Sequence, residues 1–326
     1  MKKVLGIGNA LVDVMAPLGD DSLIERLGFE KGSMNLVDLA KSREIKRITA
    51  EYVSSMAPGG SAANTIHGLS KMHMIAGFIG SIGDDATGEI FEKNMKSARV
   101  KTYLSHKYND TGTAVAMISK DSERTFATHL GAAENLMADD LDKSIFSKYD
   151  YLYLEGYLIT NMELVEKACT FAKEENMKIA IDLSSFNVVE AFRDSFVHII
   201  DNYADIVFAN QYEAKALTGK DEEEALKMLA EKCEVAVIKS GARGSIINDG
   251  SEVIKIDAVD VDCIDTTGAG DLYASGFLYG LANDVPLDKC GFFGSLLASY
   301  VIQVLGPKID SEKWPGIRRE IDEKLV

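Results

Sequence analysis

The segment DTTGAGD at residues 265–271 combines a carboxylate with small residues in a spacing that could bind a phosphate group. Gly268 and Gly270 bracket Ala269 where a loop is predicted to turn into a helix, so several main-chain N–H groups can point at one anion. The helix dipole adds partial positive charge at the same place. Asp271 follows in the first turn, where it could accept the proton of a hydroxyl group that attacks phosphorus. Alternatively, Asp271 only caps the helix and the glycines only form a tight turn.

A second motif, PGGSAAN at residues 58–64, carries groups suited to the hydroxyl of a polyol. Gly59 and Gly60 precede a predicted helix, and Asn64 lies one turn into it. Exposed main-chain amides and an amide side chain match a hydroxyl group, which both donates and accepts hydrogen bonds. The alternative is a glycine turn followed by a helix that Ser61 caps.

The first predicted strand runs into GIGNALVD at residues 6–13, which begins like a dinucleotide-binding fingerprint. The third glycine of that fingerprint would fall at Leu11, so the motif fails. Asn9 and Asp13 instead offer a donor and an acceptor at the end of a strand. A carboxylate that accepts two hydrogen bonds can hold a vicinal diol such as that of ribose.

Two motifs that follow later strands could bind a metal ion and a nucleotide. Side chains at the carboxyl end of a parallel strand face the binding crevice of an open α/β sheet. Asn210 and Glu213 of NQYE follow such a strand and could hold hydrated Mg²⁺ through oxygen atoms and water. They could also form a helix capping box, and the two interpretations are compatible. KSGARG at residues 239–244 follows another strand and forms either part of a nucleotide pocket or a plain hairpin turn.

Short apolar runs alternate with longer amphipathic stretches over most of the chain. This pattern is typical of βαβ units and predicts an α/β fold with a mostly parallel sheet covered on both sides. The predicted strands are Val4–Ile7, Ile75–Ile79, Tyr151–Leu154, Ile179–Leu183, Ile206–Ala209 and Ala236–Ile238. The predicted helices are Ala62–Lys71, Glu89–Ala98, Met162–Glu175, Glu222–Lys232, Gly270–Ala282 and Leu287–Leu305.

Two segments, at about residues 11–37 and 100–130, do not follow this rhythm. The first contains the strand-like run GSMNLV, and the second contains TGTAVAMIS and RTFATHL, which are rich in Thr and β-branched residues and have no helix between them. We predict a small antiparallel sheet attached to the main domain, which could serve as a lid. An ordinary extension of the main sheet is the alternative. Because the chain has only five Pro and no Pro-rich linker, we expect one domain over residues 1–326.

The chain carries 35 basic and 51 acidic side chains, which gives a formal net charge of −16. The acidic balance argues against a nucleic-acid partner, because the chain has no positive field to follow a phosphate backbone. A local patch of donors could still bind a phosphorylated small molecule. The four Cys lack the spacing of a disulfide framework or a zinc site. No apolar stretch reaches membrane-helix length, and the N-terminal apolar run contains Asn9 and Asp13, unlike a signal peptide. We therefore expect a cytoplasmic protein that does not bind a membrane.

Together these motifs resemble the ribokinase-like family of sugar and nucleoside kinases, also called the phosphofructokinase-B family. DTTGAGD, ahead of a helix rich in small residues, resembles the C-terminal signature of the family. PGGSAANTIHGLSKMHMIAGFIGSIGDDATG resembles its N-terminal signature, and NQYE fits its N-x-x-E pattern. The three matches occur in the order found in the family, and the resemblance covers nearly the whole chain. It implies a three-layer ribokinase-like fold in which the small sheet is a lid.

The resemblance also implies a role for each matching residue. Asp271 is expected to be the catalytic base, and the amides of Gly268, Ala269 and Gly270 are expected to surround the transferring phosphoryl group of ATP. Glu213 is expected to organise Mg²⁺ together with Asn210. The expected acceptor-binding residues are Asn9, Asp13, Gly59, Gly60 and Asn64, and the expected nucleotide-binding residues are Asn210, Lys239, Gly241, Gly244 and Thr266.

Within the family, the segments GNALVD, KGSMNLVD and SERTFATHLGAA look more like adenosine kinase relatives than like bacterial ribokinases or phosphofructokinases. Arg124 in SERTF would then clamp the phosphate from the lid side, and a solvated Arg at a strand end is the alternative. In one departure from the family, Ser295 stands where many members carry an Asn near the adenine. A monovalent cation beside DTTGAGD is common in the family, but no residue of this sequence is matched to it.

The expected reaction is ATP-dependent phosphorylation of a primary hydroxyl of a ribosyl compound, with the 5′-hydroxyl of adenosine or a related nucleoside as the leading acceptor. Ribose or another sugar is the alternative acceptor. A sensor that kept the fold and binds a sugar or nucleoside without catalysis is a second class of function. A nicotinamide-dependent oxidoreductase is disfavoured by Leu11 in the failed fingerprint. The strands of the lid could also pair with a second copy to give a homodimer.

Overall fold

The computed structural model describes residues 2–325, which form strands and helices in alternation along most of the chain. The strands are β1 (Val4–Ile7), β2 (Leu11–Pro17), β3 (Met34–Leu36), β4 (Ser55–Gly59), β5 (Ala76–Gly83), β6 (Lys101–Lys107), β7 (Thr111–Ile118), β8 (Arg124–Gly131), β9 (Tyr151–Glu155), β10 (Lys178–Asp182), β11 (Ile206–Asn210), β12 (Val235–Lys239), β13 (Ser245–Asn248) and β14 (Val253–Ile256). The helices are α1 (Ser22–Leu27), α2 (Leu39–Thr49), α3 (Ser61–Lys71), α4 (Ala86–Ser97), α5 (Lys143–Phe146), α6 (Met162–Glu174), α7 (Phe186–Ala191), α8 (Arg193–Asn202), α9 (Gln211–Thr218), α10 (Glu222–Ala230), α11 (Ala269–Ala282), α12 (Leu287–Val301) and α13 (Trp314–Leu325).

The main sheet has nine strands in the order β14-β13-β12-β11-β10-β9-β1-β5-β6. The strands from β12 to β6 run parallel, and β13 and β14 are antiparallel at one edge. Helices α3, α4, α11, α12 and α13 contribute to the core on one face, and α5, α6, α8, α9 and α10 to the core on the other. The central strands are buried apolar runs because helices cover both faces. The predicted three-layer fold with a mostly parallel sheet is confirmed.

A second, small sheet has five strands in the order β3-β8-β7-β2-β4. Helices α1 and α2 cover one of its faces, where Ile24 and Ile45 pack with Val115 of the sheet. The opposite face carries Leu11 and Ala114, which line a large cleft. The small sheet therefore forms one wall of that cleft.

The small sheet differs from its sequence prediction in three ways. Residues 101–107 belong to the main sheet as β6, because they follow the crossover helix α4 and pair parallel with β5. Strand β4 was not predicted, since its Pro58 and Gly59 are unfavourable in strands, yet it lies at a sheet edge, where Pro is tolerated. The sheet is mixed rather than antiparallel, because β2 with β7 and β3 with β8 are joined by long connections and pair parallel.

Helix α12 ends at Val301 rather than at Leu305, and the chain turns after it. Gly306 has a φ of 89°, which favours glycine, and its N–H donates to Asp265 Oδ2 over 2.7 Å. This bond joins the segment after α12 to the loop before α11. No helix among residues 2–325 is long and apolar enough to cross a membrane.

Candidate active site

A cleft of about 1820 Å³ lies between the small sheet and the carboxyl ends of the main strands. Five polar residues that line it stand at or just beyond the ends of neighbouring parallel strands: Asn9, Glu155, Asp182, Asn210 and Lys239. The carboxyl ends of parallel strands meet at one edge of a sheet, and binding crevices of open α/β sheets form there. The cleft therefore has a polar floor built by the main sheet.

Asp271 lies in the first turn of α11, with both carboxylate oxygens bonded to the start of α3. Ser61 Oγ donates to Oδ1 over 2.7 Å, and Asn64 Nδ2 donates to Oδ2 over 2.9 Å. The side chain thus contacts a different helix instead of capping its own. Burial raises the pKa of Asp271, and the two hydrogen bonds oppose the rise. A raised pKa makes this carboxylate a better proton acceptor near neutral pH.

The start of α11 is a cradle of small residues next to a cation. Gly268 has a φ of 79°, and a Cβ there would lie 2.9 Å from Pro307, so only glycine fits without strain. A Cβ at Gly270 would lie 3.1 Å from Lys239 Nζ, so the ammonium group sits against the first turn of the helix. The amides of the helix N-terminus and the ammonium group would attract the same anion.

Lys239 is held by a buried ion pair in which its Nζ lies 2.6 Å from Asp182 Oδ2. Burial alone would lower the pKa of Lys239, but the neighbouring carboxylates Asp182 and Glu213 outweigh it and raise the pKa. The side chain therefore remains an ammonium group at neutral pH. It supplies a fixed positive charge beside the glycine cradle.

Arg124 connects the small sheet to the loop before α11. Its Nη1 donates to Thr266 Oγ1 over 2.6 Å, and that hydroxyl in turn donates to the Ser122 carbonyl oxygen over 3.0 Å. The Arg124 side chain is 29% exposed and lines the cleft, so it is not the solvated side chain considered as the alternative. These two bonds fasten the β7–β8 turn over the cleft.

Asp13 on β2 is a buried carboxylate that faces the cleft. Burial raises its pKa to about 7, although Lys308 opposes the rise.

Gly59 does not line the cleft but lies against Asp13, and a Cβ at Gly59 would meet Asp13 Oδ2 at 2.1 Å. Gly60 has a φ of 94°, and a Cβ there would meet the Asn9 carbonyl oxygen at 2.1 Å. Both glycines are therefore required for the close approach of β1, β2 and the start of α3.

Glu155 at the end of β9 is a buried carboxylate that ties β1 to α3. Its Oε1 accepts from the Asn9 main-chain N–H over 2.9 Å and from Asn9 Nδ2 over 2.6 Å. Its Oε2 accepts from the Ala62 N–H over 2.8 Å. Burial raises the pKa of Glu155 to about 7 despite these three donors. Glu155 thereby fixes the orientation of the Asn9 side chain.

Lys308 approaches the same group from the segment after α12. Its Nζ donates to Asn64 Oδ1 over 2.9 Å, while Asn64 donates to Asp271. Burial lowers the pKa of Lys308 to about 8, and the charges of Asp13 and Asp271 limit the fall. A cation therefore stands next to the carboxylates on the acceptor side of the cleft.

Asn210 and Glu213 form the capping box that was one of their two interpretations. Asn210 Oδ1 accepts from the N–H groups of Tyr212 and Glu213, and Glu213 accepts from the Asn210 N–H over 2.6 Å and from its Nδ2 over 2.7 Å. Burial raises the pKa of Glu213 to about 7. A direct bond from Glu213 to Mg²⁺ would break the box, so these residues fit an ion that keeps its water shell and is bound mainly by phosphate.

The expected nucleotide loop lines the far part of the cleft. Gly244 has a φ of 85°, and a Cβ there would meet the Ile256 carbonyl oxygen at 1.9 Å. Gly241 has a φ of 58° and open space around it, so its backbone is accessible from the cleft. Ser295, noted above as a departure from the family that the sequence resembles, donates to the Asp257 carbonyl oxygen over 3.0 Å.

The structure brings all the sequence-predicted site residues to this cleft apart from Gly59. Those that line it are Asn9, Asp13, Gly60, Asn64, Arg124, Asn210, Glu213, Lys239, Gly241, Gly244, Thr266, Gly268, Ala269, Gly270 and Asp271. Sequence reasoning missed Glu155, Asp182 and Lys308. Glu155 directly follows the predicted strand Tyr151–Leu154, and Asp182 is the last residue but one of the predicted strand Ile179–Leu183, so the strand-end argument used for Asn210 would have found both. No sequence signal pointed to Lys308.

Comparisons with known proteins point to one family. The sequence pattern of the pfkB family carbohydrate kinase matches residues 33–314. Adenosine kinase from Saccharomyces cerevisiae is 27% identical over 333 residues, which cover 94% of this chain and 96% of the yeast protein. The crystal structure of adenosine kinase from Sinorhizobium meliloti superposes with a TM-score of 0.91 at 31% identity, covering 99% of both chains. That of a probable sugar kinase from Rhizobium etli superposes with a TM-score of 0.93 at 30% identity, covering 100% of this chain and 99% of the other.

Proposed function

The chain belongs to the pfkB family of carbohydrate kinases, and from this premise we propose that it transfers the γ-phosphoryl group of ATP to the 5′-hydroxyl of adenosine or a related nucleoside. A phosphotransferase with an alcohol acceptor must bring a nucleotide phosphate, a hydroxyl group and a proton acceptor together. The single observation that carries the proposal is the setting of Asp271. It lies in the turn that begins at the glycine cradle beside Lys239, and it shares Asn64 with the acceptor side of the cleft.

The chemical step is mainly one of position and charge. The hydroxyl oxygen of the acceptor attacks the γ-phosphorus, the bond from that phosphorus to the β–γ bridging oxygen breaks, and ADP leaves. Asp271 accepts the hydroxyl proton, and the amides of Gly268, Ala269 and Gly270 with the Lys239 ammonium group balance the charge on the phosphoryl oxygens. Mg²⁺ bound with the nucleotide neutralises phosphate charge. Asn210 and Glu213 would hold it through its water shell.

An apolar wall favours a nucleoside over a bare sugar. Leu11, Met34, Ala114, Phe126 and Leu130 line the cleft on the side of the small sheet. A ribose ring has little apolar surface to offer this wall, whereas a nucleobase presents a large flat face that would stack there. Asn9 and Asp13 would then hold the hydroxyl groups of the ribosyl part.

A sugar kinase is the second candidate, because polar residues dominate the floor of the cleft and the Rhizobium etli neighbour is named a probable sugar kinase. A binding protein without catalysis is less well supported. It would not need the base, the phosphate cradle and the buried Lys239–Asp182 pair together.

ADP production with Mg²⁺ over a panel of nucleosides and sugars tests the proposal. We expect turnover with adenosine or a related nucleoside and little with ribose. Turnover with a sugar alone would favour the second candidate, and ligand binding without turnover across the panel would favour the sensor.

The variant Phe126→Ser separates the two kinase candidates. Loss of the aromatic wall should raise the KM for a nucleoside about tenfold, since a buried aromatic contact contributes about 1.5 kcal/mol. It should leave the KM for ribose unchanged. Phe192 also lines the cleft but is exposed and does not belong to this wall, so Phe192→Ser is the matched control.

A further inference from the structure

Lys308 is a half-buried cation that the reaction described above does not use. The segment that carries it is held at two points, because the Gly306 N–H donates to Asp265 Oδ2 over 2.7 Å and Pro307 lies against Gly268. Asp265 and Gly268 belong to the phosphate-binding loop. The position of the Lys308 side chain is therefore tied to that loop.

Two hydrogen bonds connect Lys308 to the proposed base. Lys308 Nζ donates to Asn64 Oδ1 over 2.9 Å, and Asn64 Nδ2 donates to Asp271 Oδ2 over 2.9 Å. An ammonium group has donors only, so it binds the oxygen end of the amide and leaves the NH₂ end facing Asp271. Rotation of the amide by half a turn would bring its oxygen towards a carboxylate oxygen, and Lys308 opposes that rotation.

The side chains around Lys308 carry more negative than positive charge. Asp13 on β2 and Asp271 on α11 act on Lys308 directly, and Asp265 in the loop before α11 and Glu155 on β9 act on its neighbour Asp13. The basic groups that face it are Lys71 and His67 on α3, and the pKa of His67 is held well below its usual value by burial and by both lysines, so His67 is neutral. On the phosphate side of Asp271, Lys239 and Asp182 form a closed ion pair. Lys308 is thus a cation on the Asp13 side of Asp271, and Lys239 is the cation on its phosphate side.

We propose that Lys308 is a positioning residue for phosphoryl transfer, which orients Asn64 towards Asp271 and places a positive charge beside Asp13 and Asp271. This inference rests on the proposed function, and it adds a residue that touches neither substrate. A nearby cation favours the charged form of a carboxylate, so removal of Lys308 should raise the pKa of both aspartates. Asp271 would then be protonated, and unable to accept a proton, over a wider range of pH.

The pH profile of kcat/KM distinguishes this role from a structural one. For Lys308→Met, which removes both charge and donor, we expect the acid limb to move up by about 1–3 pH units. Lys308→Gln keeps a donor for Asn64 but lacks the charge. It should show the same displacement of the acid limb with a smaller loss of kcat at high pH. Lys313→Met, an exposed lysine five residues further on, is the control for net charge and should leave the profile unchanged.

A second measurement does not depend on any substrate. NMR titration of protein labelled with ¹³C at the aspartate carboxyl groups, with the Asp271 signal identified by its loss in Asp271→Asn, reports the carboxyl pKa directly. We expect the titration of Asp271 to move to higher pH in the Lys308 variants. If wild-type protein phosphorylates no acceptor, the proposed function fails, and this titration still decides the role of Lys308. Coincident titrations and acid limbs in wild type and in whichever Lys308 variant folds would overturn the inference.

Discussion

At the scale of residues, Asp271 is the side chain on which the proposed reaction depends most. Hydrogen bonds from Ser61 and Asn64 hold its carboxylate in place, and none of its neighbours removes its negative charge. We predict that Asp271→Asn folds as the wild type does and that its turnover rate falls by about 10²–10⁴-fold. The asparagine can keep both contacts: its oxygen accepts from Asn64, and its NH₂ donates to Ser61, whose hydroxyl accepts as well as donates. Steady-state ADP production and thermal unfolding measure the two effects. Turnover near that of the wild type would contradict the role of a base.

The pKa of Asp13 leads to a prediction about stability. A carboxyl whose pKa is 3.8 unfolded and about 7 folded keeps its proton longer in the folded state, so its contribution to stability is lost as pH rises between these values. An asparagine does not titrate, so Asp13→Asn should not lose stability in this way as pH rises. We expect the Tm of the variant to exceed that of the wild type by about 2 °C or more at pH 8 and to match it near pH 4.

Asp13→Asn should at the same time weaken acceptor binding, because the amide loses one of the two acceptor oxygens of the carboxylate. Asp310→Asn, at an exposed aspartate, is the matched control and should leave the Tm unchanged at both pH values. Equal Tm values for Asp13→Asn and wild type at pH 8 would show that the buried carboxyl imposes no strain on the fold.

Site residues that lie within one continuous motif could be predicted from the sequence. Site residues that only the fold brings together could not. Gly268, Gly270 and Asp271 could be predicted because small residues next to a carboxylate are unusual at a helix start. Lys308 could not, since its role comes from a turn that Asp265 holds and from contact with a helix more than two hundred positions earlier in the chain. Long-range contacts of a single charged side chain leave no periodic pattern in the sequence.

At the scale of elements, the buried strands of the main sheet were predictable, whereas two edge strands, β4 and β6, were not. Strands β1, β9, β10, β11 and β12 are short apolar runs because both of their faces are covered. Strands β4 and β6 lie at sheet edges, where one side has no strand partner and the composition is less constrained. Their assignment depends on where the chain returns after α2 and α4, which local sequence does not determine.

The bonds between the small sheet and the phosphate loop predict how closure and catalysis are coupled. Arg124→Gln removes a charge and weakens the contact with Thr266, so we expect phosphoryl transfer to fall by about 10²-fold. The β7–β8 turn should also open more often and admit water to the cleft. ADP formed without acceptor should then become a larger fraction of the total.

Measurement of ADP with and without acceptor gives that fraction directly. Glu123→Gln, in the same turn, alters a charge 3.8 Å from Arg124 without removing the bond to Thr266, and it should behave like the wild type. An unchanged transfer rate and an unchanged fraction in Arg124→Gln would rule out a closing role for this turn.

At the scale of the whole molecule, the exposed parts of the small sheet are unusual. Strands β3 and β4 are its two edges, and large apolar side chains on or near them are exposed: Leu36, Leu39, Tyr52, Val53 and Met56. An open edge next to apolar side chains is suited to pairing with another strand. A second copy of the chain offers the same edge, and an antiparallel pairing of β4 with β4 would satisfy two-fold symmetry.

We therefore predict a homodimer through β4 whose strength depends on salt. Each copy has a formal net charge of −16, so association works against repulsion that is screened over about 10 Å at 0.1 M salt and about 3 Å at 1 M. Sedimentation at micromolar concentration should show more dimer as salt increases. Met56→Lys, at a side chain that is 58% exposed on β4, adds a charge at the pairing edge and should shift the protein to monomer. Ile90→Lys, at a side chain that is 51% exposed on α4, should not. Monomer alone at every salt concentration would exclude the dimer, and the opposite salt dependence would mean that ion pairs rather than the apolar edge hold the two copies together.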